Sequence, residues 1–220
     1  MDEARPETAD PDARQRLLEA GLELFGLYNL EGTTTRQLAQ RARVNQAAIP
    51  YYFGGKEGLY LAVIQHLFVT HVASFQPMVE ETRAGLASNK LTKGEALRLL
   101  KRLLAAMLEV VLQKGASATW ARIMMREQMQ PTAAFDFLYA NAYQRTHEAV
   151  SGLLAVILEQ KASDPNLILR AQMVIGQVLI FLAGRETIRR RLNLTGYSDE
   201  EIREIQKALA DQLDLLGPKL

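Results

Sequence analysis

The chain has 220 residues, a net charge of +1, 48% hydrophobic residues and 23% charged residues. These values are ordinary for a water-soluble globular protein, and they exclude a fully disordered chain and a bundle of membrane-spanning helices. The N-terminal segment MDEARPETADPDA is acidic and unlike a signal sequence, and no apolar run reaches the roughly 18 residues of a membrane span. The absence of cysteine excludes thiol redox sensing, iron–sulfur ligation and disulfides. We therefore expect a cytoplasmic protein that has no contact with the membrane.

The first part of the chain predicts a tail followed by three helices. Residues 1–11 lack apolar periodicity and predict a disordered acidic tail. From Asp12, apolar residues recur at helical spacing and predict a first helix that ends near Tyr28. Threonine at 33 or 34 caps the second helix, TTRQLAQRA, and Asn45 caps the third, NQAAIPYYF, which ends at Gly54-Gly55.

In the rest of the chain, apolar residues recur at helical spacing and predict further helices. Capping patterns at Thr92–Glu95, Asp164-Pro165 and Ser198–Glu201 divide it. The predicted helices cover about 56–84, 93–114, 117–128, 132–161, 165–192 and 199–215. Because no strand pattern competes, the sequence predicts an all-α fold.

Charge is unevenly distributed along the predicted helices. Between Gly32 and Lys56 there are four cationic side chains and no Asp or Glu. This segment is a candidate phosphate-facing surface. Within it, Arg41 and Arg43 fit either solvated surface or a contact with a nucleic-acid backbone.

The segment EGTTTRQLAQRARVNQAAIPYYFGGKEGLY resembles the DNA-binding region of the TetR family. The shared features are a Thr-Thr-x-Arg start, an Ala-x-x-Ala helix, a Val-led turn and a Tyr-x-Phe-Gly-x-Lys-Glu close. The segment WARIMMREQMQPTAAFDFLY, together with FGGKEGLY, is similar to the CecR-like (CerR C-terminal) subgroup. The resemblance implies a helix-turn-helix DNA-binding domain at 12–57, with its motif at about 34–53, and a helical ligand-binding and dimerisation domain at 58–220.

The resemblance also implies which side chains meet DNA. In a helix-turn-helix the second helix enters the major groove and flanking residues hold phosphates. The expected DNA-binding residues are Thr34, Arg36, Asn45, Gln46, Ala47, Tyr51, Tyr52 and Lys56. We expect Gln46 to pair with adenine, Ala47 to meet a thymine methyl, and Lys56 to hold phosphate at a helix N-terminus.

Two residues depart from the family pattern. Arg43 stands where glycine is usual, at a helix end where a left-handed backbone is common. Pro50 lies inside the predicted recognition helix, where its ring and missing amide disfavour a regular helix. We therefore predict a recognition helix that is short, shifted in its start or locally distorted.

The second domain carries broad apolar faces. By resemblance it holds an apolar pocket with a few polar anchors for a small, largely apolar ligand. The candidate ligand-binding residues are Phe68, Phe75, Met107, Trp120, Arg122, Met124, Phe135, Tyr139, Tyr143 and His147. The three histidines lack metal-ligand spacing and no catalytic signature is present, so we expect no metal, no cofactor and no enzymatic activity.

The last two helices are where the resemblance places a homodimer interface. Met173, Val174, Gln177, Val178 and Phe181 form an apolar face there, although an intramolecular core would look similar. The resulting hypothesis is a ligand-responsive repressor that binds a palindromic operator in double-stranded DNA as a homodimer. The alternative is a helical ligand-binding or partner-binding dimer whose DNA reader is vestigial.

Overall fold

The computed structural model describes residues 11–112 and 118–215. This part of the chain is helical and contains no strand, which confirms the all-α prediction. The helices are α1 (Pro11–Tyr28), α2 (Thr35–Ala42), α3 (Ala48–Phe53), α4 (Lys56–Leu67), α5 (Gln76–Ala87), α6 (Lys93–Leu112), α7 (Ala118–Met129), α8 (Phe135–Leu138), α9 (Gln144–Leu158), α10 (Pro165–Ala183), α11 (Arg185–Arg191) and α12 (Asp199–Asp214). The predicted tail at residues 1–10 and the predicted helix end at 113–114 lie outside the described residues.

Four of the predicted helix N-caps are present. Each capping side chain satisfies backbone N–H groups that the first helical turn leaves without partners. The caps are Thr34 with Gln37 before α2, Thr92 with Glu95 before α6, Asp164 before α10 and Ser198 with Glu201 before α12. These signals act over three residues or fewer, so the sequence alone locates them.

Two helices predicted as continuous contain a wider π turn. The helix predicted at 56–84 is interrupted by a π turn at Phe68–Val72 and a 3-10 turn at Ala73–Phe75. The helix predicted at 132–161 consists of α8, a π turn at Tyr139–Tyr143 and α9. Within the two π turns, Thr70 and Asn141 each donate a side-chain hydrogen bond to the carbonyl four residues earlier. The same kind of bond occurs within regular helix at Thr82 and Ser151, so it accompanies the π turns and does not explain them.

A third predicted helix is also divided. The helix predicted at 165–192 breaks at Gly184 into α10 and α11. Glycine is among the weakest helix formers, and here it ends one helix and begins the next. The break separates the basic segment α11 from α10.

Helix α6 lies at the centre of the larger half of the molecule. It packs against α5, α9, α10 and α12 through fully buried leucines at 100, 103, 104 and 108. Helices α1 to α4 form the N-terminal unit, in which α1 contacts the other three. One continuous hydrophobic cluster contains buried residues of both parts, among them Phe25 of α1 and Leu104 of α6.

Among the described residues, two helical stretches have the length and composition of a membrane span. They are Lys56–Ala87, with a mean hydropathy of 1.4, and Pro165–Ala183, with a mean hydropathy of 1.7. Core helices of water-soluble proteins share these properties. Both stretches contribute buried side chains, such as Val63 and Val178, to the core of this chain.

Candidate nucleic-acid interface

The start of α2 presents three consecutive polar side chains. Thr34 caps the helix: its Oγ1 accepts from the Gln37 backbone N–H at 3.2 Å and donates to the Gln37 side-chain oxygen at 2.8 Å. Arg36 is exposed and has no ion pair or hydrogen bond with any residue in the described ranges. Thr35, which the sequence analysis did not single out, lies between them. Its hydroxyl accepts a hydrogen bond from Gln46 Nε2 at 2.7 Å.

The turn after α2 accommodates Arg43. Its backbone is left-handed, with φ 55° and ψ 47°, as expected of the position where glycine is usual. The Arg43 and Val44 N–H groups donate to the carbonyls of Gln40 and Ala39 at 3.2 and 3.0 Å. These bonds close the end of α2, so an arginine at this position is compatible with an ordinary helix-turn-helix connection.

The recognition helix α3 is short and starts late, as predicted. The expectation that Asn45 is its N-cap is wrong, because α3 begins at Ala48. Asn45 instead forms a preceding turn in which its Oδ1 accepts from the Ala47 N–H at 2.9 Å. Pro50 consequently occupies the third helical position, where an amide has no partner inside the helix. The Gln46 carbonyl accepts from the Ile49 N–H at 3.2 Å, so the proline leaves it satisfied.

The helix-turn-helix at residues 34–53 is called the reader from here on, and its tip is exposed to solvent. Asn45, Gln46 and Ala47 are all exposed, and Tyr51 is 69% exposed. Tyr52 is half-buried, and its ring meets the Tyr51 ring edge-on at 4.8 Å between centroids. An exposed amide beside an exposed methyl and a phenol has the chemistry needed to read base edges and hold a sugar–phosphate backbone.

Lys56 begins α4 next to this tip. It is half-buried, and its Nζ donates to the carbonyl of Leu30 in the loop before α2 at 2.8 Å. An ammonium has three donors, so two remain for other partners. Its position at a helix N-terminus adds the partial positive charge of the helix to its own.

The two arginines left open by sequence occupy different environments. Arg41 pairs with Glu23 of α1 at 2.6 Å, whereas Arg43 is exposed and forms no ion pair within the described residues. Two shallow surface depressions of about 460 and 450 Å³ lie on this unit. The second is lined by Thr35, Gln46, Ala47, Ile49, Pro50 and Gly55.

The candidate ligand residues fall into separate groups. Phe135 lies 5.6 Å from Tyr143 and 6.4 Å from Tyr139 between ring centroids. Phe68 meets the ring of Phe137 edge-on at 5.6 Å. Neither of the two depressions described above is lined by any of the ten candidates. Phe75, Met107, Trp120 and Met124 pack with the hydrophobic core.

Two candidate polar anchors have partners elsewhere. Arg122 is exposed, and its Nε donates to the carbonyl of Gly26 in α1 at 3.2 Å. His147 Nε2 lies 2.6 Å from Gln172 Oε1, which joins α9 to α10. In this structure both side chains therefore connect helices.

Helix α7 forms hydrogen bonds with the N-terminal unit at two places, the end of α1 and the middle of α4. Arg126 Nη1 donates to the Phe25 carbonyl at 2.8 Å, next to the contact of Arg122 with Gly26. The Tyr60 hydroxyl of α4 donates to Glu127 Oε1 at 2.7 Å, and Glu127 is fully buried. Burial, followed by the hydrogen bond to Glu127, raises the pKa of Tyr60 above its ordinary value. The sequence analysis did not predict this contact, since Tyr60 and Glu127 lie 67 residues apart.

Helix α10 has an apolar stripe that faces solvent. Part of the predicted interface face is wrong, because Val174 and Val178 are 5% and 0% exposed and belong to this chain's own core. The exposed apolar residues Leu169, Met173 and Ile180 follow at helical spacing with Gly176 among them. A side chain at Gly176 would meet no atom within 4 Å, so the stripe is open to an approaching surface.

Comparison with known families matches both parts of the chain. Residues 17–63 match the family described as bacterial regulatory proteins, tetR family. Residues 96–217 match the C-terminal domain of the HTH-type transcriptional dual regulator CecR. The second match alone covers more than half of the chain.

Individual relatives agree with these matches. The chain is 31% identical to the HTH-type transcriptional dual regulator CecR of Shigella flexneri, over 93% of this chain and 91% of that protein. A TetR-like transcriptional regulator from Rhodococcus sp. RHA1 has a similar fold, with a TM-score of 0.60, 20% identity and coverage of 94% and 97%. AmtR of Mycobacterium smegmatis also has a TM-score of 0.60, with 18% identity and coverage of 96% and 89%.

Proposed function

Because this chain belongs to the TetR family of bacterial transcriptional regulators and carries a CecR-type C-terminal domain, we propose that it is a ligand-responsive repressor. Regulators of this family bind operator DNA and act as dimers. In the proposal, the dimer without ligand occupies a palindromic operator and a ligand releases it. The observation that carries it is the exposed Gln46–Ala47 tip, near Arg36, which has no ion pair within the described residues, on a helix-turn-helix whose first helix is capped by Thr34.

The proposed DNA contacts divide into base reading and backbone binding. Gln46 reads adenine and Ala47 meets a thymine methyl in the major groove. Thr34, Arg36, Tyr51, Tyr52 and Lys56 hold the backbone, with Asn45 shaping the turn that presents Gln46. The exposure of Arg36 and Tyr51 supports this division, although Thr34 already uses its hydroxyl in the cap of α2.

The proposed dimer forms through α10 and α12, which lie within the last two helices predicted from the sequence. The exposed stripe of Leu169, Met173, Gly176 and Ile180 supports α10 as the main contact. A two-fold dimer presents its two readers to half-sites about 34–36 Å apart, one turn of DNA. The operator is then a palindrome because the protein is symmetric.

The proposed ligand is small and largely apolar. Phe68, Tyr139 and Tyr143 lie within π turns, and Phe135 lies one turn before the second of them. Such turns are frequent at functional sites because they interrupt regular backbone pairing. A ligand that separates Phe135 from Tyr143 displaces α7, because Tyr143 bonds to Gln128 of that helix, and through the bond between Glu127 and Tyr60 it also displaces α4. A coupling of about 1–3 kcal/mol between the two sites is enough to weaken operator binding several-fold or more.

Location and chemistry follow from the same proposal. A regulator of transcription acts where the bacterial chromosome lies, so we infer a cytoplasmic location. Recognition of DNA and of an apolar ligand requires neither catalysis nor a cofactor. The proposed repressor is accordingly a binding protein only.

Binding to the DNA upstream of its own gene tests the proposal. Fluorescence anisotropy at physiological salt compares this duplex with a shuffled duplex of the same composition. We expect specific affinity to exceed non-specific affinity by about 10³-fold or more. Gln46→Ala lowers this ratio, whereas Gln160→Ala, at an exposed site after α9, leaves it unchanged.

Two outcomes contradict repression through this reader. Equal affinity for both duplexes excludes specific regulation of this site. A chain that dimerises but shows no salt-dependent affinity for any duplex is instead a ligand-binding or partner-binding module with a vestigial reader.

A further inference from the structure

Thr35 and Gln46 face each other across the helix-turn-helix. Thr35 is the first residue of α2, and Gln46 lies in the turn before α3. The Gln46 Nε2 donates to Thr35 Oγ1 at 2.7 Å across a separation of eleven residues. We propose that Thr35 is a positioning residue that fixes the Gln46 carboxamide for reading adenine. This inference rests on the proposed function, since it concerns how the same reader distinguishes bases.

The chemistry of the amide explains why positioning matters. To read adenine, glutamine must present its oxygen to the N6 amino group and one N–H to N7 at the same time. The carboxamide has two N–H donors, so one can bond to Thr35 while the other, together with Oε1, faces the base. A free glutamine loses much rotational freedom on binding, and a side chain held in advance avoids that loss.

The backbone of Gln46 is held as well. Asn45 Oδ1 accepts from the Ala47 N–H at 2.9 Å, which fixes the turn that carries Gln46. The Gln46 carbonyl accepts from the Ile49 N–H at 3.2 Å. Gln46 is exposed and yet is constrained both at its backbone and at the end of its side chain.

The surroundings of the pair fit an A·T base pair. Thr35, Gln46, Ala47 and Pro50 line the same shallow depression of about 450 Å³ on the exposed face of the reader. Its lining combines the hydroxyl and the amide with the apolar side chains of Ala47, Ile49 and Pro50. Adenine at the amide and a thymine methyl at Ala47 match this combination.

Two substitutions at position 35 distinguish the effect of the Thr35 hydroxyl from the effect of side-chain size. Thr35→Val keeps the shape and removes the hydroxyl, whereas Thr35→Ser keeps a hydroxyl. Each full-length variant and the wild type select duplexes from a randomised pool. The selected wild-type duplex is then compared with one in which the preferred adenine is changed to each other base, with circular dichroism as a check of folding.

We expect the wild type to prefer adenine at one symmetric position in each half-site, by about five-fold or more. Thr35→Val loses most of this preference while affinity for random duplex and its salt dependence stay unchanged. Thr35→Ser, which keeps a hydroxyl, retains the preference for adenine. In the Gln46→Ala background, Thr35→Val causes no further loss, because no amide remains to be positioned.

Three results overturn the inference. An undiminished adenine preference in Thr35→Val shows that the hydroxyl does not position Gln46. Equal weakening on all duplexes, with a salt slope reduced by about one, shows that Thr35 binds phosphate instead. A wild type that selects no sequence at all overturns the proposed function together with this inference, which distinguishes that failure from the first two.

Discussion

Lys56 links the loop before α2 to the start of α4. Its ammonium donates to the Leu30 carbonyl at 2.8 Å and retains two donors for a phosphate. We expect Lys56→Ala to weaken binding to all duplexes alike and to reduce the salt slope by about one, because one counterion-releasing contact is lost. Anisotropy titrations at several salt concentrations measure this slope. Lys90→Ala, at an exposed position between α5 and α6, is the matched control and leaves the slope unchanged.

A sequence-dependent effect of Lys56→Ala contradicts this prediction. In that case the lost hydrogen bond to Leu30 has altered the geometry of the reader, and base contacts are affected together with phosphate contacts. Comparison of the selected duplex with a shuffled one distinguishes the two effects.

Two buried tyrosines predict the alkaline behaviour of the fold. Burial raises the pKa of Tyr143 to about 12 from an ordinary value of 10.0, and burial also raises the pKa of Tyr60. A raised pKa in the folded state means that the stabilisation is complete below pH 10 and is lost as pH rises through the folded value. We expect the free energy of unfolding to fall as pH increases from 10 towards 12.

Urea unfolding at a series of pH values measures this decline. Tyr143→Phe removes the ionisable group, so its curve is flatter than that of the wild type over the same interval. Identical pH dependence in the two proteins shows that Tyr143 is not responsible.

At the scale of elements, side chains of α7 bind the carbonyl groups at the C-terminal end of α1. The last turn of α1 contains no basic residue of its own. Arg122 and Arg126, one turn apart on α7, donate to the carbonyls of Gly26 and Phe25 instead. Cations at a helix C-terminus are favourable because they meet its unpaired carbonyls and its partial negative charge.

Removing the better-buried guanidinium tests this contact. We expect Arg126→Met to lower the free energy of unfolding by about 1.5–3 kcal/mol, the range for a hydrogen bond that involves a charged group. Amide hydrogen exchange in the last turn of α1 becomes faster. Arg102→Met, which breaks an exposed bidentate pair with Glu81, is the control, with an expected change below about 1 kcal/mol and no effect on α1.

The two π turns are also features of single elements, and each interrupts a helix that the sequence predicts as continuous. Periodicity predicts helix across both, because a π turn shifts the apolar pattern by only one residue. The prediction of continuous helices is wrong at these points because a hydrophobic pattern does not report where the backbone pairing changes from an α turn to a π turn.

For the whole molecule, the exposed stripe of α10 predicts a dimer. Met173 is 68% exposed on this stripe, and Met129 is 71% exposed on α7. We expect Met173→Glu to give a monomer at micromolar concentration and to lose specific operator binding, because it places two like charges near a two-fold axis. Met129→Glu makes the same chemical change at similar exposure and leaves the dimer intact. Sedimentation equilibrium measures both.

A dimeric Met173→Glu variant contradicts the proposed interface. If both variants dissociate, the dimer depends on a surface other than the α10 stripe. Retained operator affinity in a monomeric variant removes the symmetry argument for a palindromic site.

The sequence by itself determined the features that depend on neighbouring residues. The cap at Thr34 and the short recognition helix at Pro50 follow from steric rules and hydrogen bonds within a few residues, whereas the left-handed backbone at Arg43 follows from the resemblance to a family with glycine at this position. The family resemblance concentrates in the same segment. These local rules require no knowledge of the rest of the chain.

Only the tertiary structure decided which distant groups meet. The bond between Tyr60 and Glu127 joins residues 67 positions apart, and the contact of Arg126 with Phe25 joins residues 101 apart. Helix α10 shows the same limit, since it is apolar on several sides and its period alone does not say which side is core. Packing against α6 and α9 buries Val174 and leaves Met173 in solvent, because each helix buries only the side that faces its neighbours.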